Sequence, residues 1–245
     1  LRYKPIFDID AVYGGAVEWV ETGTFASYYE YYSYFFNNFG ALRFYYHVFA
    51  IARALGVRDC FLTAAAVNGA LSVCSMYVTG SVGKRLMGAR GQMMTYALFL
   101  VSPPFYFIAP AFYTDALSML FPVLLYRLYL LAKDREKLWS RLVLYALMGL
   151  AAAQGIQIKA TVAIAFVAIL IDAVFTWDWK RTLAMAAVVA LIVFSGNASL
   201  TGAIYRHLDR ELAERNRTPI LHWVNMGLYG DGMYNPWDYE FTRSF

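Results

Sequence analysis

LVLYALMGLAAAQGIQIKATVAIAFVAILIDAVF, residues Leu142–Phe175, is the stretch on which the fold turns. It is too apolar for a water-facing helix and too long for one crossing of a bilayer, whose hydrocarbon core needs ~20 residues of helix and accepts ~17. Gln154-Gly155-Ile156-Gln157-Ile158-Lys159 interrupts it. The run therefore reads as two short spans, 141–157 and 158–175, joined by a tight polar turn. Working outward, further candidate spans fall at 39–55, 60–82, 91–108, 113–132 and 182–204. Composition agrees: 60% of residues are hydrophobic and only 16% charged, against the usual quarter in soluble domains. The predicted fold class is all-α, a polytopic membrane helical bundle.

The basic loops set an orientation, because cytoplasmic loops carry an excess of Lys and Arg. Lys133-Asp134-Arg135-Glu136-Lys137 with Arg141, and Trp177-Asp178-Trp179-Lys180-Arg181, read as cytoplasmic. Counting crossings then puts Asp115, the Gln157–Lys159 turn and everything after Tyr205 outside. The amino-terminal half breaks the count. If Asp8 and Asp10 are outside, an even number of crossings must separate them from Asp115, yet three candidates intervene. One of the first three segments is thus a half-span or an interfacial helix, and 39–55 and 91–108 are the shortest. The domain reading is a membrane domain over 1–205, with a first extracytoplasmic loop at 1–38, followed by an extracytoplasmic segment at 206–245. The chain starts at Leu1 without Met and ends at Phe245 without an evident stop, so a fragment of a longer protein is expected.

Two segments outside the spans carry the polar chemistry. The first, 1–38, holds Phe7-Asp8-Ile9-Asp10 in a loop, then Ala16, Val17 and Val20 at the spacing of a short interfacial helix that stops at Gly23. An aromatic run, Tyr28–Phe36, ends at Asn37-Asn38. The second, 206–245, is rich in His, Trp, Asn, Gly and Tyr, with a turn at Gly230-Asp231-Gly232. A carboxylate on a water-facing loop beside a span can act as a general base toward an acceptor hydroxyl, and Asp8 and Asp10 meet that placement. The plainer alternative is a solvated acid or, for Asp10, a helix N-cap. Asp115 opens a long helix, where an acid complements the helix dipole, binds a metal or orients a substrate. Lys159 lies between two short spans and either snorkels to the headgroups or holds a lipid phosphate. His222 and Trp223 offer a donor and an aromatic face, for a sugar or for the interface. His47 reads as a packed residue. Cys60 and Cys74 read as buried free thiols, with no spacing that suggests a metal. Asn197-Ala198-Ser199 and Asn216-Arg217-Thr218 match glycosylation sequons of little weight. A net charge of +4 without a block of like charges excludes nucleic acid as a partner.

In this order the residues resemble a known family, the GT-C fold glycosyltransferases, and especially bacterial proteins similar to the dolichyl-phosphate-mannose protein mannosyltransferases. Asp8, Val12 and Ala16, closing at Gly23, look like that family's acidic first loop and its following helix. Phe35-Phe36-Asn37-Asn38 is similar to its Tyr-Pro-Asn-Asn element, without the proline. Ser102-Pro103 and Tyr113-Thr114-Asp115-Ala116-Leu117-Ser118 resemble a later outer element. Gly155 through Lys159-Ala160-Thr161 resembles a Lys-Pro-Thr turn, again without proline. Pro219 through His222-Trp223, Met226-Gly227-Leu228, Tyr234-Asn235 and Asp238 resemble a tail element of the bacterial members.

The resemblance implies a GT-C-like bundle with interfacial helices in the first outer loop, in the plasma membrane. It implies inverting transfer of one sugar from a polyprenyl-phosphate donor to an unidentified extracytoplasmic acceptor. Asp8 or Asp10 would be the base, with Lys159 on the donor phosphate and Asp115 a second acid beside it. Partners would be that donor, membrane lipid and the acceptor. No cofactor is demanded, and a divalent metal stays open. The rivals are a transporter or flippase, which would carry its charges near the bilayer midplane on broken helices, and a structural subunit.

Overall fold

The computed structural model describes residues 5–107, 110–219, 221–222, 225, 228 and 235–243. The described residues are helical wherever they are regular. In chain order the helices are α1 (Phe7–Thr22), α2 (Tyr29–Tyr34), α3 (Phe39–Ala54), α4 (Cys60–Leu100), α5 (Pro103–Phe107), α6 (Thr114–Ser118), α7 (Leu120–Lys133), α8 (Leu138–Ile158), α9 (Val162–Thr176), α10 (Trp179–Ile204), α11 (Arg210–Asn216) and α12 (Pro236–Arg243). Single 3-10 turns at Ala26–Tyr28 and Phe36–Asn38 flank α2.

Among the described residues, four stretches are long and apolar enough to cross a bilayer: Cys60–Leu100, Thr114–Lys133, Leu138–Ile158 and Trp179–Ile204. The shorter apolar helix α9 packs among them, against α7, α8 and α10. Their outer faces expose Ile164, Val167, Val174, Leu183, Leu191 and Phe194, side chains suited to lipid and not to water. Between the helices, small residues permit close approach, as membrane packing favours. A Cβ on Gly149 would come within 2.7 Å of Ile192, and one on Gly155 within 2.8 Å of Phe121 and Val162.

The turn within Leu142–Phe175 lies later than the sequence suggests. Gln154 through Ile158 stay helical in α8, and only Lys159–Thr161 form the reversal before α9. Gly155 does not break the helix because its missing side chain is what lets α8 meet Phe121.

Helix α4 doubles back at Gly88, whose φ of 69° and ψ of −161° only glycine adopts without strain. Its arms, 60–87 and 89–100, lie against each other, with Gly83 facing Gly91 and Gly80 facing the Tyr96 ring. Near its start Asn68 donates to the Ala111 carbonyl at 3.0 Å. Beyond Ser81, Arg85 pairs with Asp134 at 2.6 Å. The first arm therefore runs from the Ala111–Asp115 end of the bundle to the Lys133–Lys137 end, and the second arm with α5 returns. We call these the acidic and basic ends.

This resolves the crossing count. Asn38, just before α3, accepts a hydrogen bond from Tyr113, and Phe61, just after it, packs on Phe112 with ring centroids 5.0 Å apart. Helix α3 leaves and rejoins the same segment, so it does not cross, and 39–55 is the segment miscounted as a span. Two passes of α4 then separate Asp8 from Asp115, an even number. Arg53, in the last turn of α3, sits at the acidic end with Glu21 at 2.8 Å.

Three smaller corrections follow. Asp8 and Asp10 are not in a loop, since α1 begins at Phe7. Cys60 and Cys74 are free, but Cys74 is exposed on α4 and Cys60 only partly covered. Asn216 is buried and donates to Ser33 at 2.9 Å, and Asn197 lies within α10, so neither sequon is presented as a glycan acceptor.

Helix α3 is held on α8 by one contact that tolerates no side chain: a Cβ on Gly40 would lie 1.8 Å from the Gln157 carbonyl oxygen. Gly40→Ala is expected to cost ~1–3 kcal/mol through overpacking, read as a lowered thermal midpoint in detergent. Gly69→Ala, inside α4 with nothing within 4 Å of the new carbon, should not lower the midpoint and should raise it slightly through helix propensity.

Candidate functional site

Helices α1, α2 and α3 form a layer over the acidic end of the bundle, cemented by aromatic rings. Trp19 stacks on Tyr46 at 4.1 Å between centroids, Tyr13 on Phe112 at 4.9 Å, and Phe25 sits among Trp19, Tyr32 and Phe39. Such pairs add ~0.5–1.5 kcal/mol each beyond the area they bury. Tyr32 is fully buried and donates to the Ala11 carbonyl at 2.8 Å, locking α2 to α1.

Asp8 lies in the first turn of α1 and faces this layer. Phe7 before it has φ 51°, a left-handed conformation that L-residues other than Asn and Asp rarely adopt, so the chain turns sharply to start the helix there. The Tyr31 hydroxyl donates to Asp8 Oδ1 at 2.8 Å, and the Tyr113 hydroxyl donates to Oδ2 at 2.9 Å. Asn38 ties the two phenols together. Its Nδ2 donates to the Tyr31 oxygen at 2.5 Å, and its Oδ1 lies 3.4 Å from the Tyr113 hydroxyl. A carboxylate offers about four lone-pair directions, so two remain for a ligand. Burial first, and then the Asp8 charge, push the Tyr31 and Tyr113 hydroxyls well above the usual phenol range. Both stay protonated donors at any physiological pH, which holds the Asp8 carboxylate in one orientation.

Asp10 is placed differently. It accepts from Tyr28 at 3.0 Å, and it does not cap α1, whose N-cap is Ile6 without a side-chain bond. Two residues beyond Tyr113, Asp115 forms an ion pair with Lys159. The N-cap of its short helix is Tyr113, without a side-chain bond, and Asp115 spends its carboxylate on Lys159. The fold thus gathers Asp8, Asp115 and Lys159, drawn from three distant parts of the chain, into one region at one end of the bundle. His222 is drawn elsewhere. It is buried in the tail, its ring edge-on to Tyr239 at 5.7 Å and its Nδ1 3.4 Å from Thr242 Oγ1. The tail itself is docked on α2, where Thr218 bonds the Tyr34 carbonyl through both its amide and its hydroxyl. Trp223 lies outside the described residues. Among the described residues no three His, Cys, Asp or Glu side chains group as metal ligands.

With the bundle and its polar end described, the chain can be set beside known proteins. A family described as conserved hypothetical integral membrane protein matches residues 3–241. The chain belongs to that family. No curated protein and no solved structure matches it. In this integral membrane protein the acidic-end layer falls within the matched region, as does the whole transmembrane bundle.

Sequence reasoning did not single out Tyr31, Tyr113 or Asn38 as partners of Asp8. Each lay in a quoted stretch, but hydrogen bonds across 23 and 105 residues leave no local trace. It also passed over Asp172, which accepts from Tyr129 at 2.5 Å and pairs with Lys133 at 3.3 Å near the basic end. The signal was present, because an acid inside an apolar helix requires a partner.

Tyr28 supplies a test of the layer. Burial, then the bond to Asp10, push its hydroxyl from 10.0 up to about 12. The folded state therefore holds this proton more tightly than the unfolded chain does. Its contribution to stability is complete below pH 10 and is lost as pH rises from there toward 12. Denaturant titrations across that window should fall less steeply in Tyr28→Phe than in the wild type.

Proposed function

We propose that this integral membrane protein transfers a sugar from a polyprenyl-phosphate-linked donor to an acceptor hydroxyl on the outer side of the cell membrane. Asp8 acts as the general base. One observation carries the reading: a carboxylate fixed by two phenol donors, with lone pairs to spare, at the polar end of an apolar bundle. A base must be held within hydrogen-bond reach of the proton it removes, and two bonds from separate elements hold Asp8 rigidly.

In the proposed step the acceptor oxygen, relieved of its proton by Asp8, attacks the anomeric carbon. The bond from that carbon to the phosphate oxygen breaks, and the lipid phosphate leaves with the electron pair. Lys159 has three donors and gives one to Asp115; the others are available to the phosphate. The apolar bundle suits a donor whose tail stays in lipid. The short basic loops at the opposite end, 133–137 and 177–181, support an outer, extracytoplasmic placement for this chemistry. Asp10, held by the single donor Tyr28 and so placed less rigidly, is the weaker candidate for the base.

The test is turnover of radiolabelled polyprenyl-phosphate sugars by the full-length protein in proteoliposomes with membrane acceptors. Asp8→Asn should lower turnover ~10²–10⁴-fold, the usual share of general-base catalysis, with expression and thermal midpoint unchanged. Asp10→Asn should retain most of it. Equal rates in wild type and Asp8→Asn would remove Asp8 from the mechanism. No turnover with any of several donor sugars would favour a transporter.

A further inference from the structure

A second polar site lies at the basic end, far along the bundle from Asp8. A cleft of about 200 Å³ opens there and is lined by Leu138, Arg141, Tyr145, Asp178, Lys180, Arg181 and Ala184, from the starts of α8 and α10. Its cations outnumber its acids by three to one. The single acid is already engaged, since Asp178 Oδ1 accepts from the Arg181 amide at 3.0 Å as the N-cap of α10.

What marks the cleft is a set of buried donors with nothing to donate to. Among the described residues, Arg141 Nε, Arg181 Nε, the Tyr145 hydroxyl and Trp177 Nε1 are covered and lack any hydrogen-bond partner. Three of the four belong to residues that line the cleft. The fourth, Trp177, lies under the Arg181 guanidinium at 4.0 Å and beside Tyr145 at 6.2 Å. A buried donor left unpaired costs ~1–3 kcal/mol, and an anion seated in the cleft would offset that cost electrostatically for all four. All four groups can donate and three can do nothing else. The matching ligand is rich in acceptor oxygens and negatively charged. Arg181 is held for such a task, because its Nη2 donates to the Ala132 and Lys133 carbonyls at the end of α7.

The surroundings identify the source of the anion. The cleft is smaller than the ~300–1,000 Å³ of sites that enclose whole organic ligands, which suits a headgroup whose tails remain outside. Trp139 and Trp179 stand exposed beside Leu138 and Lys180, and tryptophan favours the level of lipid headgroups. Basic pockets between spanning helices take anionic headgroups on general electrostatic grounds. We propose that the cleft between α8 and α10 binds the phosphate of an anionic membrane lipid. The guanidinium groups of Arg141 and Arg181 donate to its oxygens, and Lys180 adds charge at the rim. The site is separate from the proposed transfer chemistry and stands or falls independently of it.

The experiment is thermal unfolding of the purified full-length protein in neutral detergent, titrated with phosphatidylglycerol, phosphatidylcholine or inorganic phosphate. Phosphatidylglycerol should raise the midpoint in a saturable way and phosphatidylcholine should not. Arg141→Gln should weaken the phosphatidylglycerol response about tenfold or more, and Lys180→Gln, at an exposed position, severalfold. If Arg141→Gln fails to fold, the Lys180→Gln arm and the lipid comparison still decide. Equal response to both lipids would overturn the proposal. So would an unchanged phosphatidylglycerol affinity in the variants, or displacement of the lipid by millimolar inorganic phosphate.

Discussion

A charged side chain at the centre of a lipid bilayer costs ~2.5–3.5 kcal/mol even when the chain can adjust around it, and the arrangement of this protein follows from avoiding that cost. Its ion pairs within the bundle lie at the two ends. Asp115 with Lys159 closes one, while Arg85 with Asp134 and Lys133 with Asp172 close the other. Between them the contacts are made by small residues and apolar side chains, with Asn68 buried but bonded on both sides, to Tyr45 at 2.8 Å and to Ala111 at 3.0 Å. The ion pairs of the described bundle are therefore confined to two surfaces, and each carries one of the sites described above.

The two sites are built by opposite means. At the acidic end the key group is an acceptor, Asp8, and the protein surrounds it with donors that cannot ionise in the physiological range. At the basic end the key groups are donors, and the protein leaves part of their donor capacity without an acceptor. A satisfied carboxylate with spare lone pairs is poised to take a proton or a hydrogen bond. Guanidinium and ammonium groups lining a cleft are poised to receive an anion. The layer of α1, α2 and α3 gives the first site its rigidity through ring-on-ring packing, and that layer rests on the bundle at Gly40, where backbone meets backbone.

The span pattern was legible because a bilayer imposes length and apolarity on any helix that crosses it. The run Trp179–Ile204 and the arms of α4 could be read with only their boundaries in doubt. The failures have physical causes. Segment 39–55 is as apolar in places as a span, yet its Phe39, Leu42, Tyr45 and Phe49 are buried against other protein elements and not against lipid. Composition alone does not tell those environments apart. The turn after α8 was read too early because Gln and Gly look like breakers when their packing partners are unknown.

Sequence by itself determined that this chain crosses a membrane several times, where its basic loops fall, and which acids and cations stand near the ends of its spans. Those properties are local, set by runs of neighbouring residues. Only the tertiary structure decided that α3 stays on one side, that Asp8 rather than Asp10 receives both Tyr31 and Tyr113, that Lys159 meets Asp115, and that Arg141 and Arg181 share a cleft. Each of these joins residues far apart in the chain. Their partners are chosen by the geometry of helix packing, which no single stretch of sequence encodes.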